Sequence, residues 1–225
     1  MYKYETHLHS YPVSACAKSE IGEELRFYKE LGYDGVFITN HFLDGNINID
    51  RKKPYEEKIE FYFSDYEKGV EIGKTLGIKV FCGVELGYGG TDFLVYGLDK
   101  EWFLAHPEIM DMKRSEELTF MAENGALIIQ AHPYREASYI DHIRLFPRNV
   151  HGVEIVNASQ PDMENELAKI YAECYGLIPF AGSDTHGAGK KKLAGISCEE
   201  PISSVEDFVT KVKTGKITIF TTTNE

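Results

Sequence analysis

The chain has 225 residues and a formal net charge of −12, from 36 acids against 24 Lys and Arg. That balance argues against gripping long nucleic acid by phosphate neutralisation. A small phosphate ester stays compatible, because bound divalent ions reverse a local field. Hydrophobic residues make up 43% of the chain, enough for one sizeable core. Cys16, Cys82, Cys174 and Cys198 form no Cys-x-x-Cys pair, which excludes a zinc ribbon or thioredoxin-type motif and fits a reducing compartment. No run approaches the ~18 apolar residues of a membrane span, and Met1 to Ser10 lacks the regions of a signal peptide. The expectation is a cytoplasmic protein, one domain over residues 1–225, with no membrane partner. Nothing in the sequence specifies an oligomeric state.

Tyr2, Tyr4 and Thr6 alternate with Lys3 and Glu5, a β-strand pattern that runs into His7-Leu8-His9. Side chains two apart on a strand share a face, ~7 Å apart. Two imidazoles so placed can converge on one metal ion or on two adjacent ions. They read equally as half-buried strand histidines with backbone partners. Next comes a helix with Ile21, Leu25, Tyr28 and Leu31 on one face and Glu23, Glu24, Lys29 and Glu30 mostly on the other.

Five times a helical stretch ends at a glycine (Gly32, Gly77, Gly125, Gly176 and Gly215) and a β-rich run follows. Glycine closes the last helical turn in the left-handed conformation, and a short apolar run after it reads as a buried parallel strand. Repeated βα units make either an open sheet or a closed barrel. Asp44 to Ser64 looks too irregular for an ordinary connection and reads as a loop or lid. Ser115 with Glu116 and Glu117 puts acids in a helix's first turn. Leu167, Ile170, Tyr171 and Cys174 make the apolar face of a later helix, and Ser203 with Glu206 a capping box.

The C-terminal ends of the expected strands carry the reactive residues. They are His7 and His9, then His41, Glu85, His132, Glu154 with Asn157, and finally Asp184 with His186. In α/β barrels the active site is built there. Each residue alone has a structural reading, as a cap or a backbone partner. Together they are hard to explain by packing, because buried imidazoles and carboxylates are costly without partners. One divalent cluster satisfies them all.

His7-Leu8-His9, Asn40-His41, Gly83-Val84-Glu85, Ala131-His132-Pro133 and Ser183-Asp184-Thr185-His186 resemble, in order, the motifs of the PHP (polymerase and histidinol phosphatase) family. The resemblance runs from His7 to His186. It implies an α/β fold, a distorted (β/α)7 TIM-like barrel, with two or three divalent metals at the C-terminal ends of the strands and often a phosphoesterase activity. By that pattern His7, His9, Glu85 and Asp184 hold one metal, Glu85 bridges to a second bound by His132, and His41 and His186 hold a third. Two positions depart from it. Where many members have His after the bridging Glu, this chain offers Asp92, with Asp99 a weaker candidate. Where members carry Asp or His after His-x-His, it offers only Cys16, read as a small buried thiol.

The reaction class that follows is hydrolysis of a small phosphomonoester by metal-activated water, with Asp184 or His186 assisting proton transfer. Arg135 is placed to reach a phosphate, against a reading as a solvated surface side chain. A His-rich shell suits Zn, Mn or Fe better than Mg. His106, His142 and His151 read as surface residues. The rivals are a nuclease or phosphodiesterase on short oligonucleotides, an amidohydrolase-type C–N hydrolase and a non-catalytic metal-binding module. An amidohydrolase usually bridges its metals with a strand-end Lys, and none falls at a strand end here. Specificity is expected in Asp44 to Ser64 and in Pro133 to Arg148.

Overall fold

The computed structural model describes residues 1–224. Among them, nine strands form one sheet in the order β7-β6-β5-β4-β3-β2-β1-β8-β9. The strands are β1 Tyr2–Leu8, β2 Gly35–Ile38, β3 Lys79–Tyr88, β4 Thr91–Tyr96, β5 Leu127–Ala131, β6 Gly152–Asn157, β7 Ile178–Gly182, β8 Lys192–Cys198 and β9 Thr218–Thr223. The sheet curls until its start meets its end. Leu8 bridges to Thr185 in parallel, just past β7. His9 N–H donates to Thr185 O at 2.8 Å, and Thr185 N–H donates to His7 O at 3.1 Å. The result is a nearly closed barrel, with the β8–β9 pair added against the first half of β1.

Alternation of strand and helix is incomplete. Helices α1 (Ile21–Glu30), α2 (Tyr55–Leu76), α3 (Lys100–Ala105), α4 (Arg114–Glu123), α5 (Asp162–Tyr175) and α6 (Val205–Lys213) pack around the sheet. However, β3 turns directly into β4, which runs antiparallel to both neighbours. No helix separates β5 from β6. The regular βα count expected from the motifs is therefore interrupted by a hairpin. All five helix-closing glycines have positive φ, from 65° at Gly176 to 97° at Gly125, as their spacing requires.

The barrel's lower end is filled by aromatic rings. Phe208 of α6 lies 4.2 Å from Phe37, 5.1 Å from Tyr96 and 6.2 Å from Phe180, ring centre to ring centre. Those partners come from β2, β4 and β7, so α6 caps the barrel axis. This leaves the opposite end, where the strands finish, free for polar side chains.

Four local expectations are corrected. Asp44 to Ser64 is not one loop: α2 starts at Tyr55 behind Pro54, with Glu56 and Glu57 in its first turn. Ile59, Tyr62 and Phe63 are buried, which the mixed charges on the outer face concealed. On α5, Tyr171 is buried, but Leu167 and Ile170 are exposed, at 39% and 54%, as is Cys174. Ala168 and Ala172 take the inner face instead, because small side chains let the helix sit close to β6. The last capping residue is Ser204, one later than expected, accepting from Asp207 N–H at 3.2 Å. Finally, Glu24 belongs to the buried face of α1.

Glu24 is fully buried, and among the described residues neither carboxylate oxygen has a hydrogen-bond partner. Burial, then the charge of Glu5, pushes its carboxyl up to about 8. The unfolded chain ionises this group near 4.5. Between these values the folded state binds the extra proton, so stability falls as pH rises from about 4.5 to about 8. Glu24→Gln is expected to remove that fall and to gain on the order of a few kcal/mol at pH 8. Urea unfolding of both proteins at pH 5 and pH 8 checks it; parallel pH dependence in the two would refute it.

Candidate metal centre

The closure of β1 onto the end of β7 is what assembles the site. β1 carries a register shift between Glu5 and Leu8. There the Glu5 carboxylate accepts from Thr6 N–H at 3.0 Å, His7 N–H at 2.9 Å and Ser183 N–H at 2.8 Å. Tyr28 of α1 donates to its other oxygen at 2.9 Å. One buried side chain thus replaces missing ladder partners and ties the two strands together. Irregularities of this kind re-aim side chains beside functional sites. Gly182 makes the close approach feasible, since a Cβ there would meet His7 Cβ at 2.5 Å and Glu154 Oε1 at 2.7 Å.

All the strand-end residues named from the sequence face one another, and Glu85 stands at the centre. Its Oε1 lies 3.1 Å from His7 Nε2 and 3.4 Å from His132 Nε2. Its Oε2 lies 2.6 Å from His41 Nδ1 and 3.5 Å from His9 Nε2. The carboxylate therefore presents one oxygen to each of two imidazole pairs, the arrangement a bridging ligand needs. Asp184 Oδ1 faces His7 at 3.6 Å, His9 at 3.4 Å and His186 at 3.4 Å. Three ligand triads result: His7, Glu85 and His132; His7, His9 and Asp184; His9, His41 and His186. Asp92 stands at the edge of the cluster, 3.8 Å from His132 and 3.6 Å from Arg135. Asp99 is excluded, because it caps α3 by accepting from Trp102 N–H at 2.8 Å.

Two of these residues hold unusual backbone. His132 and Asp184 are the non-glycine residues with positive φ among those described, at 23° and 53°. Such conformations cost of order 1–3 kcal/mol and persist where surrounding structure imposes them. Here each turns a side chain from a strand end into the cluster.

Side chains behind the cluster fix the imidazoles. Glu154 Oε1 lies 3.0 Å from His7 Nδ1, and its Oε2 accepts from His132 N–H at 3.1 Å and Asn157 Nδ2 at 2.8 Å. Glu154 is thus an orienting partner of His7. Ser14 donates its only hydroxyl proton to Asn40 Oδ1 at 2.7 Å, so its oxygen accepts from His9 Nδ1 at 3.1 Å. His9 Nε2 is left as a lone pair aimed into the site. Ser10 and Asp65 extend this network to α2. Glu5, Ser10, Ser14 and Asp65 were missed in the sequence. Their one signal was position, Glu5 and the serines lying within ten residues of His7.

Burial lowers His7, His41, His132 and His186, but the acidic groups around them win and raise all four, His7 and His41 well above the usual imidazole range. Burial by itself raises the carboxyls of Glu85, Asp92 and Asp184. For Glu85 and Asp184 the surrounding imidazoles override it and hold both well below the usual range. For Asp92, burial and the Glu85 charge win and push the carboxyl up to about 6. Burial and then His41 push His9 down to about 3, so it is neutral, as a ligand must be. Among the described residues, neither ring nitrogen of His132 has a hydrogen-bond partner. Buried lone pairs left so, amid imidazoles and carboxylates, fit divalent cations.

A cavity of about 570 Å³ opens beside the cluster. His41, Glu85, Asp92, Asp184 and His186 form its floor, with Arg135, Tyr139, Ser159 and Asp44 at its wall. Arg135 is therefore a pocket residue and no free surface side chain. His142 is exposed, His106 pairs with Glu108, and His151 Nδ1 accepts from Ile128 N–H, so none of these joins the site.

No protein-family model matches the chain, and no curated protein does. Solved structures do. A two-domain Bacteroides vulgatus protein, described as containing a PHP-like metal-dependent phosphoesterase, superposes over 97% of this chain with a TM-score of 0.68 at 14% identity. The fold is that of the PHP-like phosphoesterases. The chain spans 64% of that protein's length. A Bifidobacterium adolescentis protein described as a metal-dependent phosphoesterase matches over 83% of this chain and 88% of its own, with a TM-score of 0.54 at 12% identity. An amidohydrolase from Chromobacterium violaceum, solved with sulfate and no metal, covers the same shares with a TM-score of 0.55 at 14% identity. Among the described residues, no helix is long and apolar enough to cross a membrane.

Removing an orienting partner of a metal-bound His typically costs 10–100-fold in affinity. Glu154→Gln is expected to weaken zinc or manganese binding by about that factor, read by chelator competition. Unchanged affinity in a folded variant would remove Glu154 from this role.

Proposed function

We propose that this chain is a metal-dependent phosphoesterase that hydrolyses a small organic phosphomonoester. The observation that carries this reading is Glu85, buried and facing two imidazole pairs with separate oxygens at the floor of an open cavity. His7, His9, His132 and Asp184 would complete the inner ligand set, and His41 with His186 the outer one. Two or three divalent ions held there would lower the pKa of a bound water and polarise a phosphoryl oxygen. Zinc, manganese or iron suits this donor set better than magnesium.

The protein's own groups supply the rest. Arg135, on the wall beside Asp92, is placed to take a phosphate oxygen once substrate competes for it. Asp184 and His186 border the cavity, where either would assist proton transfer, a role secondary to metal binding. Ser14 and Glu154 hold His9 and His7 in single tautomers. Small substrates are favoured over long nucleic acid because the acids outnumber the bases by 36 to 24 and the cavity wall offers one arginine. A bridging Glu in place of a strand-end Lys favours phosphoester over amide chemistry.

The deciding assay compares an aryl phosphate, a set of phosphomonoesters, short oligonucleotides and an amide panel, each with added Mn or Zn. Phosphomonoester turnover that chelation abolishes is expected. Amide turnover alone moves the chain to the C–N hydrolases, and no turnover with any metal removes the enzyme reading. His7→Ala and Asp184→Ala should lose activity by roughly 10²-fold or more together with bound metal, while His142→Ala changes neither. Arg135→Ala should lower kcat/KM by roughly 10–100-fold, the worth of a charged hydrogen bond, with metal content intact.

A further inference from the structure

We propose that the ring of Tyr139 is a stacking platform that selects phosphomonoesters carrying an aromatic ring close to the phosphate. The inference names a substrate class for the phosphoesterase reading above and rests on it. Arg135 sets the distance. Its Nη1 lies 3.6 Å from Asp92 Oδ2 at the edge of the metal cluster, and its Cζ lies 5.7 Å from the centre of the Tyr139 ring. One guanidinium therefore stands beside both the place a phosphate would occupy and the ring. Arg135 Nη2 also donates to the Tyr139 hydroxyl, which holds the ring in one orientation.

Tyr139 lies within Pro133 to Arg148, the segment the sequence marks for specificity. The cavity lining is otherwise polar side chains and glycine, apart from Tyr88 and Cys16. Cys16 is half-buried rather than the buried thiol read from the sequence. Tyr88 is 44% exposed, but its ring is already engaged: Phe146 packs edge-on at 6.1 Å, and Arg114 and Arg144 each stand 5.7 Å from its centre. Tyr139 carries Arg135 and is otherwise open, 61% exposed. The base of its loop is fixed. Buried Gln130 donates to Arg144 O at 2.8 Å and accepts from Phe146 N–H at 3.1 Å, while Arg144 donates to Gly89 O at 2.8 Å in the β3–β4 turn. Ile140 packs on Gly90 of the same turn, where a Cβ would meet its Cγ1 at 2.5 Å. A rigid tyrosine loses little conformational entropy on binding, and its π-face favours another flat ring.

Two esters with matched leaving groups isolate the flat ring: phenethyl phosphate and cyclohexylethyl phosphate. Both release a primary alcohol, so intrinsic reactivity is alike, and hydrophobicity alone favours the saturated ring. The manganese-loaded wild-type chain is expected to prefer the phenyl ester by roughly 3–10-fold in kcat/KM, the worth of an aromatic pair. Tyr139→Leu should bring that ratio close to one with metal content unchanged, and Tyr139→Phe should keep it. Tyr175→Leu, which removes an equally exposed tyrosine on α5, should leave it unaltered. Phenylpropylphosphonate and cyclohexylpropylphosphonate, which resist hydrolysis, should repeat the ratio in Kd by calorimetry. Equal handling of the two esters or equal Kd values in wild type, a preference that survives Tyr139→Leu, or one lost in Tyr139→Phe overturns the proposal. So does turnover of other phosphomonoesters with neither ester accepted. If no phosphomonoester is hydrolysed with any metal, the phosphoesterase reading itself fails, and this inference with it.

Discussion

The structure depends on a few backbone hydrogen bonds between the two ends of the barrel. Thr185 accepts from His9 N–H and donates to His7 O, more than 170 positions back in the chain, because the sheet curls back on itself. Glu5 secures the junction by accepting amides from both strands at once. Without that junction, His7 and His9 would face solvent and Asp184 would sit on an open edge. With it, one carboxylate and two imidazoles from opposite ends of the sequence share a space a few ångströms wide.

The same junction explains where strain and buried charge accumulate. Left-handed backbone at His132 and Asp184, a register shift in β1 and the buried Glu85 carboxylate ringed by imidazoles all fall at this end of the barrel. The other end is apolar and filled by Phe208 and its aromatic neighbours. Stability is concentrated at one end, and costs that packing alone does not offset are concentrated at the other. That division is what a cation-binding cluster beside an open cavity requires, since ligand binding to the folded state returns stability to the costly end.

Much of this was legible in the sequence. Helix-closing glycines announced the strands, and the residues just past those strands were the ones that met. Parts of the expectation failed for identifiable reasons. The hairpin of β3 and β4 carries no helix-and-glycine signal, so the regular alternation was overcounted. Leu167 and Ile170 outranked Ala168 and Ala172 by hydrophobicity, but close packing on β6 selects small side chains. Glu24 looked like a solvent-facing acid because its neighbours Glu23 and Lys29 are, but one residue past Glu23, about 100° round the helix, brings it to the inner face.

The sequence by itself determined which chemistry was present: the order of His7, His9, His41, Glu85, His132, Asp184 and His186, each at a strand end. Strand periodicity and motif spacing are local, so they can be read one segment at a time. Tertiary structure alone decided that Glu85 lies between two imidazole pairs, that Ser14, Glu5 and Glu154 stand behind the cluster, and that Cys16 faces the cavity. Those facts depend on loops whose positions are set by hydrogen bonds to segments dozens of residues away. No local pattern encodes such distances; they exist only once the barrel closes.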